Sequence, residues 1–163
     1  MKTITEHLAG YAAYHRDRRN VATHLVGIPL IVIALQILLS RPYWAFDGWF
    51  LTPAVIVSVV ASLFYLRLDR ALGALMTVLL ALSVVLGTEI AALSTTAWLS
   101  WGIGLFVGGW VLQFIGHYFE GRKPAFVDDI MGLAVGPLFV VAEVVFMLGL
   151  KKDLHRAIEE RFS

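Results

Sequence analysis

Two groups of polar residues, each set in strongly apolar sequence, contain the side chains of this chain that could do chemistry. They are Tyr14-His15 with Asn20 and His24, and Gln113-x-x-x-His117-x-x-Glu120. An ionisable side chain beside hydrocarbon is costly unless it is paired or metal-bound. Each group is therefore a candidate functional site.

The residue inventory limits the chemistry available at these groups. The chain has five histidines and no cysteine, which excludes disulfides, thiolate metal sites and a cysteine nucleophile. Imidazole and carboxylate ligands suit iron, zinc, copper or nickel, and sets with open positions are typical of non-haem Fe(II) oxygenases. A net charge of +1 is not the basic balance of a nucleic-acid-binding protein. These points favour a metal site and no nucleic acid partner.

The composition indicates a membrane protein. Of the 163 residues, 59% are hydrophobic and 15% are charged, and the mean hydropathy is +0.78, which is too apolar for an ordinary soluble domain. We interpret residues 1–163 as a single integral membrane domain in contact with the lipid bilayer. Residues 1–19 would form a cytoplasmic or interfacial helix, and residues 151–163 a polar cytoplasmic tail.

The predicted fold class is all-α, a polytopic membrane helix bundle. Apolar runs, most of them near the roughly 20 residues that a spanning helix needs, occur at about 21–39, 48–66, 71–93, 97–115 and 130–150. If the first four span and the fifth returns, every Lys and Arg except Arg41 lies on one side, which the positive-inside rule identifies as cytoplasmic. Both polar groups then lie near the cytoplasmic face of a bacterial inner membrane or the endoplasmic reticulum.

The fifth run carries a helix breaker at its centre. Gly136-Pro137 divides it into two pieces of about half a bilayer each, and a proline inside a helix removes a hydrogen bond and clashes with the preceding turn. We predict four spans plus a broken or re-entrant fifth segment. A plain fifth span with a kink is the alternative.

The spacing of the first two histidines requires a break in the chain between them. His15 and His24 are nine residues apart and would face opposite ways on one straight helix. A break near Asn20 would let them converge, although Asn20 also suits the cap of the first span. Because the start of the first span and the end of the fourth lie at one face, we expect both histidines to meet His117 in a metal site.

The second group is predicted to share one stripe of the fourth span, because Gln113, His117 and Glu120 follow spacings of four and three. Glu120 falls in the last turn, where the helix dipole disfavours a negative charge. We expect a cation to hold it, either Arg122 or a divalent metal. In the same span, Gly104-x-x-x-Gly108 with Gly109 predicts close helix packing.

These residues carry a family resemblance. The chain resembles the 2-hydroxy fatty acid dioxygenase family. That family is a former domain of unknown function, and its yeast member acts in phytosphingosine α-oxidation. The resemblance lies in Tyr14-His15, Asn20-x-x-x-His24-x-x-Gly27-Ile28-Pro29, Gln113-Phe114-Ile115-Gly116-His117-x-x-Glu120-Gly121-x-x-Pro124-Ala125 and the late Glu143. The resemblance implies a membrane oxidoreductase that uses Fe(II) and O₂ to shorten a long-chain 2-hydroxy fatty acid by one carbon with release of CO₂. It also implies His15, His24 and His117 as the metal-site histidines.

Several further residues have candidate roles near this site. Glu120 and Glu143 are candidate catalytic acids, and Glu143 is alternatively a hydrogen-bonded acid satisfied by another helix. Asn20 and Gln113 are candidate substrate or supporting residues. Arg16 and Lys123 would attract the substrate carboxylate or simply anchor the chain at the membrane surface. The residues with candidate roles are thus Glu120, Glu143, Asn20, Gln113, Arg16 and Lys123.

Two other classes of function fit part of the pattern. A non-enzymatic haem-binding membrane anchor would use His24 and His117 as axial ligands, which leaves Glu120 without a role. A small transporter would use the break at Gly136-Pro137, but the sequence shows no internal repeat.

The orientation can be tested because the chain has no native cysteine. A cysteine introduced at Arg156 should be labelled from the same side of the membrane as one introduced at Lys123, because both lie among the basic residues predicted to be cytoplasmic. Membrane-impermeant maleimide on oriented vesicles measures this. Labelling of the two positions from opposite sides would contradict the returning fifth segment.

Overall fold

The computed structural model describes all 163 residues, and its secondary structure is almost entirely helical, as predicted. The elements in chain order are α1 (Ile4–Ala12), α2 (Arg18–Leu39), β1 (Trp44–Phe46), β2 (Trp49–Leu51), α3 (Pro53–Leu68), α4 (Arg70–Ala91), α5 (Thr95–Glu120), α6 (Ala125–Asp128), α7 (Gly132–Met147), α8 (Lys152–Glu159) and a final 3₁₀ turn (Glu160–Phe162).

The one departure from the all-α prediction is the small hairpin of β1 and β2. The strands are antiparallel, with Trp44 opposite Leu51 and Phe46 opposite Trp49. Asp47-Gly48 forms the two-residue connection, and Gly48 has a φ of 90°, which suits glycine in such a turn. The hairpin thus takes up the start of the second predicted apolar run.

The number of predicted spans is not confirmed in full. Three helices, α2, α4 and α5, are long and apolar enough to cross a membrane. Helix α3 is apolar but has 16 residues, fewer than the roughly 20 that a hydrocarbon core requires of a straight helix. Helices α7 and α8 add a fourth only if the bent pair counts as one span. The structure therefore supports three to four spans, and the prediction of four spans plus a fifth segment is not confirmed.

Helices α2 and α5 form the tightest pair in the bundle, and glycines allow their close approach. A Cβ atom on Gly116 would collide with Thr23 Oγ1, and one on Gly109 would lie 2.8 Å from the Gly27 carbonyl oxygen. Gly104 and Gly108 face open space. The packing prediction is thus confirmed for Gly109 and wrong for the other two, because they point away from α2.

The proximal end of the bundle, defined here as the end that holds the first turn of α2 and the last turn of α5, also holds both ends of α7. The start of α7 lies against the segment after α5, because a Cβ on Gly132 would be 2.9 Å from the Phe126 backbone nitrogen. Just beyond its other end, Lys151 Nζ donates to Asp69 Oδ2 at the α3–α4 turn, at 2.7 Å. Helix α1 covers α7 through buried side chains that include Leu8, Leu138, Phe139 and Ala142.

The predicted break at Gly136-Pro137 is wrong, because α7 continues through both residues from Gly132 to Met147. Pro137 removes one helical hydrogen bond, but buried contacts with α1 before and after it hold the helix together. The chain bends by 114° between α7 and α8 instead. Gly149 there has a φ of 77°, and the Leu150 N–H donates to the Val145 carbonyl at 3.1 Å, which is a Schellman ending.

Replacing Gly116 with alanine should destabilise the protein, because the new methyl group collides with Thr23 and Asn20. We expect the free energy of unfolding to fall by about 1–3 kcal/mol, the usual effect of overpacking. Gly104→Ala is the matched control, since nothing lies within 4 Å of that position. Thermal unfolding in detergent compares them; equal stability of the two variants would contradict the packing described.

Candidate metal centre

The three predicted histidines come together at the proximal end of the bundle. His15 lies in the link between α1 and α2, His24 in the second turn of α2 and His117 in the last turn of α5. Their candidate ligand atoms all lie within 4.8 Å of one another. All three side chains are buried, with exposed fractions of 3%, 1% and 7% respectively. This confirms the expectation that residues far apart in the sequence converge.

The break that allows this convergence lies a little before Asn20. Helix α1 ends at Ala12, and α2 begins after Asp17, whose side chain accepts a hydrogen bond from the Arg19 N–H. Asp17 is therefore the helix cap, and the interpretation of Asn20 as the cap is wrong. Asn20 lies in the first turn of α2 and is free for another role.

Backbone carbonyls fix the rings of two of these histidines. His15 Nδ1 lies 2.7 Å from the Tyr11 carbonyl oxygen, and His24 Nδ1 lies 2.9 Å from the Asn20 carbonyl oxygen. A carbonyl only accepts, so the Nδ1 proton of each ring is the donor and the Nε2 atom is left with its lone pair. This is the arrangement in which protein histidines bind metals through Nε2.

The geometry between the rings fits a cation. His15 Nε2 and His24 Nε2 lie 3.0 Å apart, and two lone pairs at that distance repel unless a proton or a metal lies beside them. His117 Nδ1 is buried without a hydrogen-bond partner, although buried polar atoms normally have one. The donor set is thus incomplete without a ligand, and a metal bound by imidazole nitrogen satisfies all three residues.

Burial also keeps this centre ready for a metal. Removal from water lowers the pKa of His15 to about 4, more than the hydrogen bond to the Tyr11 carbonyl raises it. The ring is therefore neutral at physiological pH, as metal binding requires. Tyr11 stacks on it, with ring centroids 4.1 Å apart and an interplanar angle of 6°. Tyr11 is not among the residues predicted for the site, although its four-residue spacing from His15 was a usable signal.

Glu120 joins α2 and α5, the two helices that supply His24 and His117. Its Oε1 accepts from the Arg16 N–H at 2.9 Å, and its Oε2 accepts from the Asp17 N–H at 2.8 Å and from Asn20 Nδ2 at 3.0 Å. These donors at the start of α2 take the place of the cation expected from the sequence, because the positive end of a helix dipole favours an anion. Glu120 thus fixes the last turn of α5 to the first turn of α2.

Asn20 connects the Glu120 clamp, the set of hydrogen bonds that Glu120 accepts at the start of α2, to the histidines. Its side-chain amide donates to Glu120 and to the Tyr14 carbonyl oxygen at 3.1 Å, while its backbone carbonyl accepts a hydrogen bond from His24 Nδ1–H. The side chain is fully buried. Asn20 and Glu120 therefore position the three histidines without belonging to the cluster themselves.

A cavity of about 320 Å³ opens beside the cluster. Its polar end contains His24, His117 and Gln113, and the remaining lining is mostly apolar. Gln113 is 5% exposed and its Oε1 has no hydrogen-bond partner, so it is a polar group that a bound molecule can pair with. A mostly apolar pocket with a few converging polar groups is the usual form of a small-molecule site.

Three predicted residues lie outside this cavity. Arg16 pairs with Glu159 at 3.3 Å, and Lys123 pairs with Asp128 at 2.7 Å. Glu143 is half-buried on α7, where the charged groups that act on it are Arg16, His155 and Glu159. Their predicted roles in substrate attraction and proton transfer remain predictions without a contact at the site.

Replacing Glu120 with alanine should weaken the histidine cluster, because it leaves two backbone N–H groups and the Asn20 amide without their acceptor. We expect a loss of about 1–3 kcal/mol in the free energy of unfolding and a lower metal content. Glu89→Ala is the matched control, since Glu89 is exposed near the C-terminal end of α4. Equal metal content in the two variants would contradict the clamp.

Comparisons with known proteins identify the family of this chain. The family model described as "2-hydroxy-palmitic acid dioxygenase Mpo1-like" matches residues 1–148. The chain is 32% identical over 160 residues to the 2-hydroxy-palmitic acid dioxygenase MPO1 of Saccharomyces cerevisiae, covering 96% of this chain and 87% of the yeast protein. No solved structure gives a significant match. The matched region contains all three histidines, Asn20, Gln113 and Glu120, and the chain belongs to the Mpo1-like family.

Proposed function

We propose that this protein is an Fe(II)-dependent membrane dioxygenase that converts a long-chain 2-hydroxy fatty acid into the acid one carbon shorter. The observation that carries the proposal is the buried cluster of His15, His24 and His117 at the polar end of an apolar cavity. The yeast relative is named for 2-hydroxy-palmitic acid, which supplies the substrate class.

Iron is the metal we assign to the cluster. Imidazole ligands suit several first-row metals, so the choice rests on the family, whose yeast member is a dioxygenase. Bound iron would supply the redox chemistry with O₂. The protein holds His15 and His24 in their metal-binding tautomers through the Tyr11 and Asn20 carbonyls.

The proposed reaction balances without a further reductant. R–CHOH–COOH and O₂ give R–COOH, CO₂ and H₂O, with the bond between carbons 1 and 2 broken and carbon 2 oxidised to the new carboxyl. All four electrons that reduce O₂ come from the substrate. O₂ and the 2-hydroxy acid are thus the only partners that the chemistry requires.

Different residues of the cavity would bind the headgroup and the acyl chain of the substrate. The 2-hydroxycarboxylate would lie at the polar end, where the unpaired Gln113 Oε1 would accept a hydrogen bond from the 2-hydroxyl group. The apolar lining would hold the acyl chain and exclude water from the reacting carbons. Arg16 and Lys123 are already paired with carboxylates of this chain, so we assign the headgroup contact to Gln113.

We further propose that α2, α4 and α5 cross the membrane, that α3 carries the chain back across it from the end of α2 to the start of α4, and that the histidines lie near the cytoplasmic face. Helix α7 would then lie along that side, because it is continuous and both of its ends lie at the proximal end of the bundle. The basic residues support this orientation through the positive-inside rule. The bilayer would deliver the apolar substrate.

The ring geometry argues against a haem anchor. The His24 and His117 centroids are 4.8 Å apart, and the His15 ring lies 4.4 Å from one and 5.1 Å from the other. Axial ligands need a macrocycle between them, and the third imidazole occupies the adjoining space. Three close imidazoles suit a single ion better.

Alanine at His15, His24 or His117 should each reduce iron content and activity by tenfold or more, a loss at least as large as that for the outer residues of metal sites. His155→Ala is the matched control, because that ring stacks on Phe146 at 4.4 Å, away from the cluster. Metal analysis measures iron. Full iron occupancy in all three variants would place the metal elsewhere.

The reaction is tested with a 2-hydroxy fatty acid that carries ¹³C at carbon 1. Iron-loaded protein in detergent and air, without added reductant, should release labelled CO₂ and form the shortened acid. The acid without the 2-hydroxyl should not react, because it lacks two of the four electrons. Failure to release ¹³CO₂ across a range of chain lengths would contradict the proposed function.

A further inference from the structure

We propose that the cavity beside the histidines is a slot one membrane leaflet deep, which holds the substrate's acyl chain with its methyl end at Leu35 and Phe106. The inference rests on the proposed function for its ligand, a 2-hydroxy fatty acid. It adds where the chain lies, how it enters and which residues set its length.

The depth of the slot follows from the two helices that form its walls. Leu35 lies eleven residues after His24 on α2, and Phe106 lies eleven residues before His117 on the antiparallel α5. At 1.5 Å per residue, each wall runs about 16 Å from histidine to floor. Half of a hydrocarbon core about 30 Å thick is about 15 Å, so the slot matches the depth of one leaflet.

The polarity of the slot orients its occupant in the same direction as a membrane lipid. The polar groups His24, Gln113 and His117 lie at the proximal end, while Ile31, Val32, Leu35 and Phe106 line the deeper part. A fatty acid in a leaflet also has its headgroup at the surface and its chain toward the midplane. The substrate therefore fits the slot without being turned over or lifted into water.

One side of the slot opens toward lipid. Helices α5 and α7 both contribute lining residues but make little direct contact with each other. Phe126 closes part of the gap by packing edge-on against Trp110, which lies seven residues before His117 on α5, with centroids 5.5 Å apart. The α7 wall is exposed at Leu133, which keeps 47% of its surface, and the α2 wall is exposed at the deep end, where Leu35 keeps 41%. An acyl chain enters sideways from the leaflet through this gap.

The floor residues then decide which chain lengths fit fully. Phe106 is the bulkiest side chain at the deep end, and Leu35 faces the same space from α2. Removing the Phe106 ring lengthens the slot, and a larger side chain at Leu35 shortens it. One methylene more or less in an apolar pocket changes discrimination by about tenfold or more.

The test measures kcat/KM for a series of 2-hydroxy fatty acids of increasing length. Phe106→Ala should move the optimum to longer acids and Leu35→Trp to shorter ones, each changing the ratio between long and short substrates by about tenfold. The matched controls are Val107→Ala and Leu86→Trp, whose side chains are 54% and 44% exposed and lie outside the slot. The controls should keep the wild-type optimum.

Native mass spectrometry of the same proteins with the same acids separates the slot from the reaction. Binding that shifts with chain length in the two floor variants, but without turnover, would support the slot and overturn the proposed function. Turnover with an unchanged length optimum in both floor variants would overturn the slot and leave the function standing. If Leu35→Trp does not fold, Phe106→Ala alone distinguishes these outcomes, because it only removes atoms.

Discussion

The hydrogen bonds of Glu120 are the interaction on which the rest of this structure depends. One carboxylate at the end of α5 accepts two backbone N–H groups at the start of α2 and the amide of Asn20. It satisfies helix-end donors that would otherwise lack a partner and lies where a helix dipole favours an anion. The same contact brings His117 against His15 and His24. The histidine cluster and the junction between α2 and α5 therefore depend on the same hydrogen bonds.

The surrounding elements hold α2 and α5 close together and shield their junction from water. Gly109 and Gly116 let α5 approach α2 closely enough for the polar contacts to form. On the other side, α1 and α7 cover the cluster, with Tyr11 stacked on His15 and Phe139 packed 5.5 Å from it. Because neutral imidazoles tolerate burial better than charged ones, this cover favours a metal-binding state over a protonated one. The apolar cavity begins where the cover ends.

The sequence predicted the convergence of the three histidines better than the fold around them. The alternating direction of the spans brought His15, His24 and His117 to one membrane face, and that required only run lengths and charges. The partners of Glu120 could not be predicted, because every residue except proline has a backbone N–H group, and residue types do not show which of these groups donates to a side chain. The continuity of α7 through Pro137 depends on packing against α1, more than a hundred residues away. Asp47-Gly48 was a local signal for the hairpin. The strands were missed because the apolar run was identified from hydrophobicity over a stretch of about 20 residues, which does not resolve strands of three residues.

The proposed enzyme is centred on three buried histidines, which would hold one iron ion at the polar end of the apolar cavity. Anomalous diffraction at the iron edge from crystals of the iron-loaded protein tests this most directly. We expect a single strong peak among the imidazole nitrogens of His15, His24 and His117, next to the cavity that contains Gln113. A peak elsewhere in the chain, or no peak among these rings in crystals of protein that contains iron, would contradict it.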